Sequence, residues 1–314
     1  MPSIVQFYHP GSEHGYDTFY KDNIYYKNWN KGKHKRKFII NDGKYIEKNK
    51  IYEGKMIFWC EWEPPSFVKT IITPENTLPH EKFPEYLHYP FLPSNEKIKN
   101  YQENNYQNTD PFIFGDSFKY SICRQDSCPV LKNLEKGSII LFGSHINKRF
   151  AIDTIFVVNE LIKYNSALDE VLEKYGLYTE IVMKMACRER LNKNNNLNRV
   201  LYIGATYENK VNGMFSYIPV KKYEGKNFGF SRIVMPDEFY ETKNNRVNKY
   251  FSNWRINYNG STIYEGKNTG IKETYVSSIN EIKVFWDYLV EYVSKEYVLG
   301  YNIDMPKEED EIKI

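Results

Sequence analysis

The stretch Lys55-Met-Ile-Phe-Trp-Cys-Glu-Trp-Glu63 is dense in apolar and aromatic residues, and this pattern predicts a β-strand. Side chains in a strand alternate between its two faces. One face would then carry four residues that we expect in the core: Met56, Phe58, Cys60 and Trp62. The other face would carry Trp59, Glu61 and Glu63. A well-packed strand with a solvated outer face is the plainer alternative for this second set.

The second face of this strand combines an indole ring with two carboxylates. Such a combination can hold a flat, polar ring such as a nucleobase, because the indole stacks and the carboxylates accept hydrogen bonds from the ring edge. We therefore predict that Trp59 stacks on a ligand and that Glu61 and Glu63 recognise its donors. If the protein is an enzyme, Glu61 and Glu63 are the catalytic candidates, one of them as general base.

The composition is that of an ordinary folded protein. Its 314 residues are 41% hydrophobic, enough to bury a substantial core in two domains or one large one. No run of about 18 apolar residues occurs, which predicts no membrane span. Four cysteines are too few for a disulfide scaffold. We expect a soluble, cytoplasmic protein with reduced thiols.

Basic residues are concentrated in one short run. A net charge of +3 is too small to attract polyanions over the whole surface. However, Lys31-Gly-Lys-His-Lys-Arg-Lys37 holds five basic side chains and a histidine. We predict that four residues of this run contact phosphate or ligand: Lys33, His34, Lys35 and Arg36. A solvated loop is the alternative, because short basic runs are common.

Strands dominate the first half of the chain. The hydrophobic pattern predicts eight strands, at Ile4–Tyr8, Arg36–Ile40, Lys55–Glu63, Ser138–Gly143, Arg149–Val158, Val200–Thr206, Met214–Val220 and Phe228–Met235. Residues 144–148 would join the fourth and fifth strands as a hairpin. Arg149 and Asp153 would share one face of the fifth strand, as a structural pair or beside a ligand. The proline-rich stretch 64–110 is predicted to be a long, ordered loop.

Three helices are predicted in the second half. The first begins at Ser166, with Asp169 as its capping partner, and ends at Gly176. The second runs from Glu180 to about Leu191. The third is capped by Ser278 with Glu281. It turns five residues toward the core: Ile282, Phe285, Trp286, Leu289 and Val293.

The order of these elements favours an α+β fold, because strands and helices do not alternate strictly. We predict a strand-rich domain that binds a nucleotide or nucleic acid over residues 1–160 and an α+β domain over residues 161–304. Both halves packing on one core is the alternative. The acidic residues 305–314 would form a tail, loose from residue 307 onward.

Two further segments offer ligand-binding groups. Gln107, Asn108 and Asp110 precede an aromatic stretch, and amide side chains can pair with adenine-like base edges. A turn capped by Asp110 is the alternative. Arg124 and Gln125 follow a cysteine and are also ligand-binding candidates.

One metal-dependent alternative concerns a nuclease. The tetrapeptide Tyr-Glu-Gly-Lys occurs three times, and its first copy supplies Glu53 and Lys55. With Asp42 or Asp237 as the upstream acid, one of the Glu-Gly-Lys copies would supply the Glu-x-Lys of a Mg²⁺-dependent nuclease, whose carboxylates hold the ion and whose lysine lies near the attacking water. Ordinary hairpin-turn chemistry is the alternative.

A zinc site is the second metal-dependent alternative. His9 with His14 and Cys123 with Cys128 have the ligand types of tetrahedral zinc. The pairs are far apart in sequence, and buried cysteines often act as small apolar residues. We therefore predict no metal site outside a nuclease, for which Mg²⁺ would be needed, and the cofactor stays unknown.

Several familiar enzyme signatures are absent from the sequence. These are the phosphate loop Gly-x-x-x-x-Gly-Lys-Ser/Thr, the dinucleotide fingerprint Gly-x-Gly-x-x-Gly, the nucleophile elbow Gly-x-Ser-x-Gly and the zincin motif His-Glu-x-x-His. Phosphate-loop enzymes, Rossmann dehydrogenases, typical hydrolases and zincins are disfavoured accordingly.

Four segments together carry a family resemblance: His34-Lys-Arg-Lys-Phe38, Phe58-Trp-Cys-Glu-Trp-Glu-Pro64, Gln107-Asn-Thr-Asp-Pro111 and Gly137-Ser-Ile-Ile-Leu-Phe-Gly-Ser144. In this order the chain resembles the bacterial nucleotide-modification-associated domain proteins, which are found near phage and mobile-element genes. The first half is also similar to the barrels of the PUA, ASCH and EVE class. In that half of this chain, an Ile-Leu-Phe-Gly strand is followed by a returning strand with the pattern Phe-x-Ile-Asp-x-x-Phe-Val-Val.

The resemblance implies a PUA-like barrel in the N-terminal half and a pocket that reads a flipped or modified base between aromatic rings. It implies a link to defence against phage or mobile elements, and no defined reaction. Because such barrels are smaller than this chain, residues 161–304 would be a C-terminal α+β domain or an elaboration.

The predicted function is therefore binding of nucleic acid or a nucleotide, including a modified base. The alternative is an enzyme acting on nucleotides or nucleic acid, either a Mg²⁺-dependent nuclease or a base-modifying transferase. A protein that binds partners through its proline-rich aromatic loop is a third class.

Overall fold

A computed structural model describes residues 2–9, 11–18, 20–21, 24–70, 84–147, 149–165, 170–186, 198–225, 230–236, 263–264, 267–268, 271–274 and 278–312. Within these residues the strands are β1 (Ile4–Tyr8), β2 (Tyr20–Lys21), β3 (Ile24–Lys27), β4 (Lys37–Glu47), β5 (Lys50–Cys60), β6 (Ser66–Thr70), β7 (Tyr86–Pro90), β8 (Lys119–Tyr120), β9 (Ile139–Ile146), β10 (Arg149–Tyr164), β11 (Arg199–Gly204), β12 (Ile218–Lys222), β13 (Ile233–Val234), β14 (Ile263–Tyr264), β15 (Lys267–Asn268), β16 (Ile271–Thr274) and β17 (Val298–Ile303).

Two large mixed sheets contain most of these strands, so the protein has a β-rich α+β fold. The first sheet has the order β16-β1-β9-β10-β11-β8, and β13 pairs with β10 beside this path. The second has the order β17-β12-β5-β4-β7-β6-β3-β2. Because β17 also pairs with β4, the strands β4, β5, β12 and β17 close into a ring.

The hairpin of β4 and β5 lies at the centre of the core. The predicted alternation of β5 is confirmed: Met56, Phe58 and Cys60 contribute to one hydrophobic cluster, and Trp62 beyond the strand joins them. Ile57 and Trp59 pack into a second cluster on the opposite side. Both faces of this part of β5 are therefore buried, and a solvated outer face is wrong for Trp59.

The C-terminal helix is the most accurate prediction. Helix α2 spans Ile279–Ser294, after helix α1 at Asn95–Glu103. The backbone N–H of Glu281 donates to Ser278 Oγ at 3.3 Å, as a capping box requires. The predicted apolar stripe is buried as expected: Ile282, Phe285, Trp286, Leu289 and Val293.

The proline-rich stretch is more regular than predicted. Within residues 64–110, outside the undescribed 71–83, it forms β6, β7 and α1. The C-terminal tail is also less loose than predicted. The backbone N–H of Leu92 donates to Lys307 O at 2.9 Å, and a short 3-10 helix forms at Glu309–Glu311.

The two other predicted helices differ from what is observed. Residues 166–169 and 187–197 lie outside the described part of the chain. Between them the chain forms a 3-10 helix at Glu170–Tyr175, an α-turn at Gly176–Tyr178 and a π-helical turn at Thr179–Met183. Gly176 has a positive φ of 43° directly after the 3-10 helix ends at Tyr175, as predicted for a left-handed cap, and a new helical turn begins there.

The hairpin of β9 and β10 is present as predicted, with an irregularity that the sequence does not reveal. The pairing register between β9 and β10 shifts between Ile152 and Thr154, so Asp153 is an extra residue in β10. A bulge of this kind re-aims a side chain. Opposite it, Gly143 allows close approach, because a Cβ there would lie 2.2 Å from Ala151 O.

Both large sheets join strands from the two predicted segments of the chain. β1 pairs with β16, and β17 pairs with β4. The division at residue 160 therefore does not separate the sheets. Among the described residues, no helix combines the length and apolar character needed to cross a membrane.

Candidate functional site

The basic run forms a turn that is held by the side chain of Asn30. In this basic turn (residues 30–35), Asn30 Nδ2 donates to Lys33 O at 3.0 Å, and Asn30 Oδ1 accepts from Gly32 N at 3.1 Å. The side chains then divide into two groups. Three are exposed: Lys31, Lys33 and Lys35. Arg36 and Lys37 are buried, so they are not part of an open phosphate-binding surface.

His34 lies between the exposed lysines and the interior, where it meets both predicted carboxylates. Its Nδ1 atom is 3.1 Å from Glu61 Oε1 and 3.1 Å from Glu63 Oε1. The His34 side chain is 38% exposed, whereas the two glutamates are almost completely buried. We refer to His34, Glu61 and Glu63 as the His–Glu cluster.

The chain directly after β5 holds the two glutamates in place. Glu61 and Glu63 are two residues apart in an extended segment, which directs both side chains to one side. The backbone N–H of Glu63 donates to Thr109 Oγ1 at 3.0 Å, and its carbonyl accepts from Asn30 N at 2.9 Å. Glu63 therefore connects the basic turn to the segment around residue 109.

Each carboxylate is also contacted through its second oxygen. Arg36 Nη1 lies 2.5 Å from Glu61 Oε2, and His14 Nε2 lies 3.4 Å from Glu63 Oε2. A second nitrogen of Arg36 donates to His9 Nδ1. The cluster thus continues into the interior through Arg36, His9 and His14, none of which is more than slightly exposed.

Burial and neighbouring charges set the protonation of the cluster. Burial alone would lower the pKa of His34, but hydrogen bonds and charges from the two glutamates outweigh it and raise the pKa to about 10. Burial would raise the pKa of Glu63, yet His14 and His34 hold it well below its usual range. Burial lowers the pKa of His14 to about 4. Near neutral pH, His34 is therefore cationic, Glu63 anionic and His14 neutral.

A second buried ion pair lies behind the cluster. The re-aimed Asp153 pairs with Arg232, whose Nη2 lies 3.0 Å from Asp153 Oδ1. The sequence placed Arg149 and Asp153 on one face of a regular strand. The bulge at Asp153 interrupts that regular alternation. A cavity of about 10 Å³ lies between Arg36, Glu61 and Asp153. It is far too small for a nucleobase.

Trp59 belongs to this interior and not to an open surface. It is 3% exposed. The Arg232 guanidinium lies 4.3 Å from its ring centroid, and the Phe38 ring 4.4 Å away. The predicted stacking of Trp59 on a ligand would require these neighbours to move, so the geometry favours packing and a cation–π contact.

A different set of aromatic rings lies beside the basic turn. The Lys31 Nζ atom is 5.6 Å from the Tyr106 ring centroid, and Tyr106 packs edge-on against Tyr101 at 4.8 Å. Both tyrosines are partly exposed. Residue 107 is tied directly to the turn, because its N–H donates to Asn30 O at 2.8 Å.

The predicted amide residues follow these rings in the chain. Gln107 and Asn108 are partly exposed, and Gln107 O accepts from Trp29 Nε1 at 2.7 Å. We define the basic–aromatic surface by six residues that lie on these two connected segments: Lys31, Lys33, Lys35, Tyr106, Gln107 and Asn108. It borders the His–Glu cluster at His34.

Three other predicted ligand-binding residues lie elsewhere or serve the fold. Asp110 is buried and accepts backbone N–H groups at 3.1 Å (residue 121), 2.7 Å (residue 122) and 2.6 Å (residue 123). Burial raises its pKa to about 7, against these three donors. Gln125 bonds both the N–H and the carbonyl of Val200. Arg124 is exposed on its own loop.

The predicted zinc ligands do not come together. Among the described residues, the group of His, Cys, Asp and Glu atoms close enough to share an ion is the His–Glu cluster, whose ligand atoms all lie within 4.8 Å of one another. Neither cysteine of the alternative set belongs to it, and burial raises the pKa of the Cys123 thiol. The zinc alternative loses support accordingly.

The nuclease residues share one strand face without forming an ion site. Asp42 lies directly opposite Lys55, and Lys44 lies opposite Glu53. Asp42 and Lys55 line a cleft of about 380 Å³ with Asp304. The carboxylates of the described residues in this cleft are not grouped closely enough to share an ion. Asp237 lies outside the described residues.

Sequence reasoning missed the residues that complete the cluster. His14 and Arg36 contact the glutamates across long sequence separations, and Arg232 reaches Asp153 from 79 residues away. No local pattern reveals such pairs. The sequence identified His34 only as a member of the basic run.

Comparison of the chain with protein-family models, with curated proteins and with solved structures finds no match.

Proposed function

We propose that the protein binds nucleic acid or a nucleotide on the basic–aromatic surface. The observation that carries this proposal is the backbone hydrogen bond from Gln107 to Asn30. It fixes a segment with an aromatic ring and two amides beside a turn with three exposed lysines. Lysines bind phosphates, aromatic rings stack on bases, and amides read base edges, so the surface combines the groups that single-stranded nucleic acids require.

The charge arrangement supports the same function. Arg36 and the His–Glu cluster hold the turn from inside, so the lysines project from a fixed backbone. Preorganised charges lose less conformational entropy on binding than charges on a free loop. Tyr106 takes the stacking role that the sequence assigned to Trp59.

The finer fold and the biological setting are part of the proposal. The closed ring of β4, β5, β12 and β17 supports a PUA-like barrel, although two of its strands come from the second half of the chain. A modified base is the ligand that the family resemblance implies, with a role in defence against phage or mobile elements. A cytoplasmic location accords with a nucleic-acid ligand.

Oligonucleotide titration at several salt concentrations tests the proposal. Labelled single-stranded DNA and RNA, with and without modified bases, are titrated with the wild type and with the triple variant Lys31→Gln/Lys33→Gln/Lys35→Gln. We expect binding at low salt. The triple variant should lower the slope of log affinity against log salt by up to about 2, since each single-strand phosphate contact contributes about 0.7.

A second triple variant serves as the matched control. Lys50, Lys99 and Lys136 are also exposed, and their replacement by Gln changes the net charge equally. Equal losses of oligonucleotide affinity in the two triple variants would mean that binding depends only on the overall charge of the protein. That result, or no binding by the wild type at low salt, would refute the proposal.

A further inference from the structure

The His–Glu cluster has the spacing of a metal-binding site. His34 Nδ1 is 3.1 Å from one oxygen of Glu61 and 3.1 Å from one oxygen of Glu63. Ligand atoms at about 2.0–2.2 Å from a common ion lie roughly 3–3.5 Å from one another in tetrahedral or octahedral geometry. Two of the three distances in the cluster meet that requirement, and all three ligand atoms lie within 4.8 Å of one another.

The surroundings of the two glutamates are those of oriented ligands. Arg36 Nη1 holds the outer oxygen of Glu61 at 2.5 Å. His14 faces the outer oxygen of Glu63 at 3.4 Å. Residues that hold metal-binding carboxylates from behind in this way fix the direction of the inner oxygens. Arg36 and His14 are therefore positioning residues in this arrangement.

A buried polar contact in the cluster is left without a proper hydrogen bond. His14 Nε2 and Glu63 Oε2 lie 3.4 Å apart, and within the described residues neither atom has a closer hydrogen-bond partner. His14 is 3% exposed and Glu63 0%. Unsatisfied buried polar atoms are costly, and a cation bound by Glu63 would compensate for that cost.

We propose that His34, Glu61 and Glu63 bind one divalent transition-metal ion, Zn²⁺ or Mn²⁺. Binding would release the proton that the His34 imidazole shares with the two glutamates, because only a neutral imidazole is a metal ligand. An imidazole with two carboxylates suits these ions better than Mg²⁺, which prefers oxygen ligands alone. Three protein ligands leave coordination positions for water or a bound group. These positions would open toward solvent, because His34 is the exposed member of the cluster.

The proposal stands on this geometry and does not depend on nucleic-acid binding. If both hold, the ion lies beside the basic–aromatic surface, where it could contact a phosphate of the ligand. This arrangement would place a metal beneath the lysines, and not at the Glu53–Lys55 cleft that the sequence indicated for a nuclease.

Calorimetric titration of the full-length, tag-free protein tests the metal site. Protein stripped with a chelator is titrated separately with Zn²⁺, Mn²⁺ and Mg²⁺. We expect one equivalent of Zn²⁺ or Mn²⁺ to bind with about micromolar or tighter affinity, and Mg²⁺ to bind at least about tenfold more weakly. Failure of both Zn²⁺ and Mn²⁺ to bind one-to-one would overturn the proposal.

Two variants locate the bound ion. His34→Asn removes a ligand from a partly exposed position, so the variant should fold, which circular dichroism checks. It should lower the affinity at least about tenfold. Glu96→Gln, a control at an exposed position on α1, should leave the affinity unchanged. Equal affinities of the wild type and His34→Asn would place the ion elsewhere and overturn the proposal.

Discussion

Glu63 shows how one side chain can connect several parts of this protein. It is completely buried, it contacts His14 and His34 through its two carboxylate oxygens, and its backbone is bonded to Thr109 and Asn30. Removing one partner of a buried charged group leaves the other partner uncompensated. The chemistry of the site and the stability of the fold therefore depend on the same residues.

Asp110 offers a test of a structural role that the sequence read as ligand binding. Asp110→Asn replaces one acceptor oxygen with an NH₂ group and leaves backbone donors without an acceptor. We expect the free energy of unfolding to fall by about 1–3 kcal/mol, measured by urea denaturation. Asp116→Asn, at an exposed position nearby, should change it by less than about 0.5 kcal/mol. Equal effects of the two substitutions would contradict the structural role.

Glu13 provides a pH-dependent prediction. Burial raises its pKa from 4.5 to about 8. Between these values the folded protein keeps a proton that the unfolded chain releases, so ionisation of Glu13 lowers stability as pH rises. Glu13→Gln cannot ionise, and its Oε1 can still accept from Tyr86 N. Relative to the wild type, the variant should gain at least about 1 kcal/mol between about pH 5 and about pH 8.

Urea denaturation of both proteins at the two pH values measures this gain. The substitution Glu53→Gln is the control for the loss of one exposed carboxylate. A constant difference for Glu13→Gln would show that Glu13 titrates normally in the folded protein.

Individual elements differ in how far local sequence determines them. The cap at Ser278 and the apolar spacing of α2 are local signals, and both were read correctly. The hairpin of β9 and β10 follows from two apolar runs around a short turn. The direction of Asp153 at the bulge depends on its pairing with Arg232, which lies 79 residues away in the chain. For that reason the sequence predicted the hairpin and missed the direction of its acidic side chain.

Gly143 tests the importance of the bulge. A Cβ at this position would lie 2.2 Å from Ala151 O and 2.4 Å from the Phe150 ring. Gly143→Ala should therefore lower the free energy of unfolding by about 1–3 kcal/mol, measured by urea denaturation. Gly54→Ala is the control, because no atom lies within 4 Å of a Cβ placed there. A similar stability for both variants would contradict the close packing at Gly143.

At the scale of the whole molecule, the two sheets connect distant parts of the chain. Sequence patterns identified the α+β class, since they report the type and order of elements. The joining of β17 to β4 and of β1 to β16 is non-local, and no periodicity encodes it. The candidate site was predicted in part for the same reason: Glu61, Glu63 and His34 were identified separately, but their contact was not.

A fragment of residues 1–160 tests this organisation. It would lack β12 and β17, which flank β5 and β4 in the ring. Exposing these strand edges and the apolar faces beside them should prevent stable folding. We expect no cooperative thermal transition by circular dichroism, in contrast to the full chain. A cooperative transition in the fragment would establish an independent N-terminal domain.

The most direct test of the proposed binding surface replaces its aromatic ring. Base–aromatic stacking contributes about 1–3 kcal/mol per base, so Tyr106→Leu should raise the dissociation constant for a single-stranded oligonucleotide roughly tenfold at low salt. The exposed Tyr52 provides the control variant Tyr52→Leu, which should bind as the wild type does. Equal dissociation constants for all three proteins, measured by fluorescence anisotropy, would contradict binding at the basic–aromatic surface.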